Sequence, residues 1–167
     1  MRERGSKASP IKKILVPTDF SPASEAAIDY AAMMASRFKA ALVLLHVTEP
    51  FPYSTTDSLV VVDHSRALQA VARSLLAGLR KGLEAKGFTV RAHMAVGSPY
   101  REILRRAEQD RVQLIVMGTH GRTGVGHLLM GSVAERVVRL AHCAVLTVRD
   151  PSRRQSEKKP SKYASVW

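Results

Sequence analysis

The stretch Leu114-Ile-Val-Met-Gly118-Thr-His-Gly121, followed after nine further residues by Gly131-Ser132, decides how this chain is read. The apolar run into Gly118 has the pattern of a strand buried on both faces. The run out of it, Val133 to Ala141, repeats apolar residues at helical spacing, with Ala134, Val137 and Leu140 between. A buried strand therefore feeds a glycine-rich loop that ends at a helix N-terminus. Backbone N–H groups there have no intrahelical partner and the helix dipole is positive, so the place suits phosphate. Glycine lets the backbone come close to a ligand and adopt positive φ. The stretch reads as a nucleotide phosphate loop.

Outward from that loop, strands and helices alternate. Ile14-Leu-Val16 is a short β-branched run ending at Pro17-Thr-Asp-Phe20. Ser21 caps a helix that has Pro22 in its first turn. Ala26, Ala27, Tyr30, Ala31, Met34 and Phe38 form its apolar stripe. Ala41 to Val47 is a second, almost wholly apolar strand. Glu49 to about Asp63, with Pro50 and Pro52, reads as a long irregular loop. A helix follows, carrying Leu68, Val71, Ala72, Leu75, Leu76, Leu79 and Leu83 at three- and four-residue intervals, and Gly87 stops it. Phe88 to Val96 is the third strand, and Ser98-Pro99 opens the next helix. Val112 to Met117 is the fourth strand and Ala144 to Val148 the fifth. The order predicts a parallel sheet covered by helices on both faces. Ligands bind such sheets beyond the C-terminal strand ends, where strand order reverses. Asp19, Val47, Gly97 and Gly118 all fall at such ends.

Composition narrows the choice. The chain has 167 residues, enough for one domain with short tails. No apolar run approaches the roughly 20 residues of a membrane span, and Met1 to Lys7 lack the apolar segment of a signal peptide. A cytoplasmic location is the expectation. Cys143 is the single cysteine and sits in an apolar run, which predicts an inert buried thiol. The net charge is +12, but two thirds of it lies at the ends. Residues 1–13 carry Arg2, Arg4, Lys7, Lys12 and Lys13 against Glu3, and residues 151–167 carry Arg153, Arg154, Lys158, Lys159 and Lys162 against Glu157. Residues 1–10 and 150–167 read as basic flexible tails. They solubilise the domain, or they give it a weak, salt-sensitive contact with nucleic acid or anionic membrane. RNA-recognition aromatics and Cys/His zinc spacing are both missing from the sequence.

The four motifs, in this order, resemble those of the universal stress protein family, ATP-binding type. The family's loop, G-x2-G-x9-G-[S/T], is matched by Gly118, Gly121, Gly131 and Ser132 without a change of spacing. Lys12 to Ser21 resembles its first strand and loop, Leu44-Leu-His-Val47 its second strand end, and Gly97-Ser-Pro-x-x-Glu-Ile103 its third strand-to-helix turn. The resemblance runs from Ile11 to Arg149. It implies an open five-stranded sheet of order 3-2-1-4-5. It implies ATP as ligand, with Mg²⁺ or Mn²⁺ carried by the nucleotide, and a homodimer paired through residues 143–149.

The resemblance also assigns roles. Pro17 and Thr18 shape the base pocket, Asp19 bonds the ribose or adenine side, and the Val47 backbone meets adenine. Met117 leads into the loop, and Gly118 and Gly121 let it pass close to ribose and phosphates. Gly131, Ser132 and Val133 offer donors to the phosphates. The residues themselves allow plainer readings. Asp19 could make only a local turn bond. Ser132-Val-Ala-Glu135 is a capping box in which the Ser132 hydroxyl bonds the Glu135 N–H. Arg122 and His127 are solvated loop residues or phosphate contacts. His46 and His142 read as packed or rim histidines, and His120 as a solvent-facing or loop-ordering one. A Walker-type G-x4-G-K-[S/T] is absent, Gly124-x-Gly126 lacks the third glycine of a dinucleotide fingerprint, and H-x-G-H is absent. Nothing identifies a catalytic base. The expected function is a nucleotide-dependent regulatory dimer in stress response. The alternatives are a slow ATPase or phosphotransferase using the same pocket, and a nucleotide-independent interaction protein working through its tails.

Overall fold

The structure, a computed structural model, describes residues 10–50, 58–119 and 130–149, with the backbone alone for 58–65. Nine elements alternate along the chain: β1 (Lys13–Pro17), α1 (Pro22–Phe38), β2 (Ala41–Thr48), α2 (Ser58–Ala85), β3 (Val90–Val96), α3 (Pro99–Gln109), β4 (Leu114–Gly118), α4 (Ser132–Leu140) and β5 (Ala144–Val148). The five strands form one sheet of order β3-β2-β1-β4-β5, and every pairing is parallel. This is the doubly wound order that the family resemblance implies.

Successive strand residues point to opposite faces, and both faces are covered. Ile14, Val16, Leu42, Leu44, Leu114 and Val116 pack under α1 and α2, with Ala27, Ala31, Ala35, Leu76 and Leu83. Leu15, Val43, Leu45, Ile115 and Met117 pack under α3 and α4, with Ile103, Ala107, Ala134 and Val137. Two-sided burial is why β1, β2 and β4 read as unbroken apolar runs. Each fully buried Leu, Ile or Val contributes about 1.5–3 kcal/mol relative to exposure, so these three central strands anchor the sheet. β1 lies between β2 and β4, with Ile14 level with both Leu42 and Leu114. The connection out of β1 crosses to β2 on one side, while β4 joins it on the other. The C-terminal ends of β1 and β4 therefore flank the switch-point crevice.

Three local expectations change. α2 begins at Ser58, so residues 58–63, expected in a loop, are helical, and residues 51–57 lie outside the described residues. Leu68, Val71 and Leu75 are 45%, 57% and 48% exposed. Only Ala72, Leu76 and Leu83 of the expected stripe are buried, with Leu79 packed beside them. Tyr30, Phe38 and Leu140 are likewise exposed rather than inward. Cys143 is half-buried against the α3–α4 core, and burial pushes its thiol pKa up. No helix among the described residues is long and apolar enough to cross a membrane.

Candidate functional site

At the switch point the strand ends open into a cavity of about 640 Å³. Its floor is the end of β1 (Pro17, Thr18), the end of β2 (Val47, Thr48) and the end of β4 (Met117, Gly118). Asp19 and Phe20 form one wall and Gly131, Ser132 and Val133 another. Pro17, Thr18, Asp19, Val47, Met117, Gly118, Gly131, Ser132 and Val133, selected from the sequence, thus line one cavity. Gly121, Arg122 and His127, and with them His120, lie outside the described residues, as do residues 1–9 and 150–167.

The turn after β1 is fixed by a chain of hydrogen bonds. The Phe20 N–H donates to Thr18 Oγ1 at 3.1 Å, Thr18 Oγ1 and Ser24 Oγ are 3.1 Å apart, and the Ser24 hydroxyl donates to the Ser21 carbonyl at 2.9 Å. Since Ser24 spends its only hydroxyl proton on that carbonyl, Thr18 is the donor to Ser24. Thr18 and Ser24 are buried, so this chain also satisfies groups that water cannot reach. Ser21 caps α1 through the Ser24 N–H, as the sequence predicts. Asp19 Oδ1 accepts from the Ser21 N–H at 3.1 Å and from its hydroxyl at 2.6 Å. The local turn bond and a place on the cavity wall therefore coexist in Asp19.

Phe20 escapes the sequence reading, while His46 is the packed rim histidine that the sequence predicts. Phe20 has φ 62°, a left-handed backbone that a phenylalanine seldom adopts. Its ring lies 4.7 Å, centroid to centroid, from that of His46. His46 is buried and its Nδ1 is 2.8 Å from the Thr18 carbonyl oxygen. A carbonyl only accepts, so Nδ1 carries the proton and Nε2 is the ring's other polar atom. His46 therefore ties β2 to the turn after β1 and holds Phe20 against the cavity. Sequence patterns report neither positive φ at a phenylalanine nor a pairing of residues 20 and 46. The second group is Leu68, Val71 and Leu75, whose exposure is explained because they line the cavity. They add apolar surface to its lining.

The N-terminus of α4 brings one correction to the sequence reading. Gly131, not Ser132, is the N-cap: its carbonyl accepts the first helical bond, from the Glu135 N–H at 2.9 Å. Ser132 is the first helical residue, so the capping box does not form. The Gly131 N–H is also committed, donating to the Thr119 carbonyl at 2.7 Å. The Thr119 N–H in turn donates to the Val148 carbonyl at 2.9 Å, which clamps the end of β4 to β5. The donors left ahead of the helical ladder are the N–H groups of Ser132, Val133 and Ala134, with the Ser132 hydroxyl beside them. Pro99, at the start of α3, also lines the cavity. Two helix N-termini thus bring partial positive charge to it. Among the described residues no three His, Cys, Asp or Glu side chains gather to hold a metal ion.

These features define a doubly wound α/β protein with an anion-friendly crevice at its topological switch point. Residues 10–149 match the model of the Universal stress protein family, and the chain belongs to that family. It is 37% identical to Universal stress protein MJ0531 of Methanocaldococcus jannaschii over 145 residues, covering 85% of this chain and 84% of that one. Universal stress protein UspA from Lactobacillus plantarum superposes with a TM-score of 0.76 at 28% identity, covering 84% of this chain and 99% of the other. A universal stress protein solved in complex with cAMP superposes with a TM-score of 0.65 at 24% identity, covering 85% and 99%, a likeness of fold.

Proposed function

We propose that this chain is an ATP-binding regulatory protein that acts in stress response as a nucleotide-dependent dimer. One observation carries the reading. The Asp19 turn and the N-terminus of α4, far apart in sequence, form two walls of one crevice. A ribose hydroxyl needs an acceptor such as a carboxylate, and phosphates need unspent N–H donors at a helix start. Between those walls, the apolar side chains of Val47, Met117 and the α2 face suit a base. Ser132, Val133 and Ala134 then hold the phosphates through backbone N–H groups, with the Ser132 hydroxyl assisting. The ion that accompanies ATP, Mg²⁺ or Mn²⁺, is held by the phosphates rather than by a protein cage. β5 is one of the two edge strands of the sheet among the described residues, and a second copy covers it.

Isothermal titration with ATP, NAD and FAD tests the ligand. ATP binds most tightly, since the crevice has one phosphate-binding helix end beside one base site. Tighter binding of NAD would sink the assignment. Replacing Gly131 with Val places branched carbons where phosphate lies and abolishes ATP binding while the far-ultraviolet dichroism is kept. Electron paramagnetic resonance of Mn²⁺ tests the ion. Little Mn²⁺ binds to the nucleotide-free chain and more binds once ATP is added; tight binding without nucleotide contradicts the proposal.

A further inference from the structure

β2 delivers two polar side chains to the crevice that the fold itself leaves partly unused. His46 and Thr48 alternate with Val47, so they share one face of the strand, and all three residues line the cavity. His46 is 7% exposed. Its ring is fixed by two contacts. Nδ1 lies 2.8 Å from the Thr18 carbonyl oxygen, and the Phe20 ring is tilted by 31° against the imidazole at 4.7 Å between centroids. Neither contact engages Nε2.

The bond to Thr18 fixes the tautomer. A carbonyl only accepts, so the neutral ring has its proton on Nδ1 and a free lone pair on Nε2. No described residue donates to that lone pair. Nε2 is not one of the polar atoms sealed inside the protein without a partner, whereas Thr48 Oγ1 is. The ring is almost wholly buried and forms part of a cavity wall, so its accessible Nε2 is offered to whatever fills the cavity. An acceptor that cannot turn chooses its ligand. A base with an amino group at that place gives it an N–H. A base with a carbonyl oxygen there sets lone pair against lone pair, and one with only a C–H leaves Nε2 buried and unbonded. The apolar lining from Val47, Met117, Leu68, Val71 and Leu75 suits a flat ring but does not tell one base from another. A wall that hydrogen-bonds its ligand discriminates more sharply than an apolar slot of the same shape.

We propose that His46 is the base-selecting residue of the crevice: its Nε2 accepts a hydrogen bond from the exocyclic amino group of an aminopurine and so turns away oxopurines. The inference rests on the ATP-binding reading above and adds to it the side chain that sets the class of base. A contact between adenine and the Val47 backbone is compatible with it, because an amino group has two N–H donors.

Isothermal titration of the full chain at about pH 8, where an ordinary imidazole is neutral, tests it. The probes are ATP, GTP, and purine riboside triphosphate, whose base carries hydrogen in place of the 6-amino group. The wild-type chain binds ATP more tightly than either of the others, by at least about threefold. His46→Asn separates selection from structure. Its amide nitrogen can replace Nδ1 on the Thr18 carbonyl, while nothing stands where Nε2 was. In this variant the preference for ATP over purine riboside triphosphate shrinks by about threefold or more. A merely structural His46 lowers both affinities together and leaves their ratio unchanged, and that result overturns the proposal. Equal binding of the two probes by the wild-type chain also overturns it, and leaves the ATP reading intact. Failure of every nucleotide to bind rejects the ATP reading and this inference with it. Nitrogen NMR of the wild-type chain stands even if the variant does not fold. The His46 Nε2 resonance moves when ATP saturates the chain, and moves less with purine riboside triphosphate. An Nε2 resonance that saturating ATP leaves in place overturns the proposal.

Discussion

Gly118 lies so close to Ala23 that a Cβ built on it would stand 3.0 Å from both the carbonyl carbon and the Cβ of Ala23. The obstacle is the backbone at the start of α1, which cannot swing aside like the end of a flexible side chain. This glycine therefore has a packing reason, independent of any ligand. Gly118→Ala forces α1 away from β4 and costs about 1–3 kcal/mol of stability, the usual range for overpacking. Urea unfolding without nucleotide measures it. An unchanged midpoint would leave only the ligand to explain the residue.

Ser132 gives the opposite test. Its hydroxyl does not cap α4, because Gly131 occupies that position. Removing a capping hydroxyl usually costs about 1 kcal/mol. Ser132→Ala is therefore expected to change stability by less than about 0.5 kcal/mol, as for an ordinary exposed site. Its ATP affinity falls modestly, since a hydroxyl donor is lost while the backbone donors stay. A full capping loss in thermal unfolding would restore the capping box.

Those two residues also show what the sequence can and cannot disclose. Unbroken apolar runs such as Leu42 to Leu45 reveal strands buried on both sides, and Ser21-Pro22 and Ser98-Pro99 mark helix starts at the right places. With the loop spacing they carry the family resemblance, and the resemblance implied the sheet order that the structure shows and the residues set around the crevice, of which Gly121, Arg122 and His127 lie outside the described residues. Adjacent Gly131 and Ser132 are both good caps, so pattern alone could not choose between them. The early turns of α2 were hidden because Val60-Val-Val62 is β-branched, follows two prolines and has weak helix propensity. Leu68, Val71 and Leu75 share the helical period of the core residues, and periodicity does not say whether an apolar face meets a core or a cavity. The Phe20–His46 pair depends on how the turn after β1 packs on β2, which leaves no mark in a single sequence.

Asp19 separates turn from ligand. Its Oδ1 accepts two bonds from Ser21, and an asparagine can keep that acceptor. Asp19→Asn therefore retains the turn through weaker, uncharged bonds and unfolds within about 1–2 kcal/mol of the parent chain. It loses the charge that strengthens a bond from a ribose hydroxyl. Hydrogen bonds to charged groups are worth about 1.5–3 kcal/mol, so ATP affinity drops about tenfold to a hundredfold. Isothermal titration reads the affinity and urea unfolding the stability. A stable variant with unchanged affinity would confine Asp19 to its turn.

The last prediction concerns the edge of the sheet. β5 pairs with β4 on one side, and no described strand pairs with its other side. Its residues Ala144, Val145, Leu146, Thr147 and Val148 carry no charge, and Leu146 and Val145 pack against opposite core layers. Exposed edges of this kind invite association unless something covers them. A two-fold axis beside β5 would let two copies pair Ala144 to Val148 antiparallel and satisfy their outward N–H and carbonyl groups. The expected result in light scattering coupled to size exclusion is a dimer at micromolar concentration. Val145→Lys and Leu146→Lys bring unpaired charge to the seam and yield monomers. Because both positions are partly buried, the dichroism and urea midpoint of each variant must be measured beside its mass. A folded monomer supports the β5 seam. A wild-type chain that runs as a monomer refutes it, and a dimer that survives both lysines moves the interface to another face.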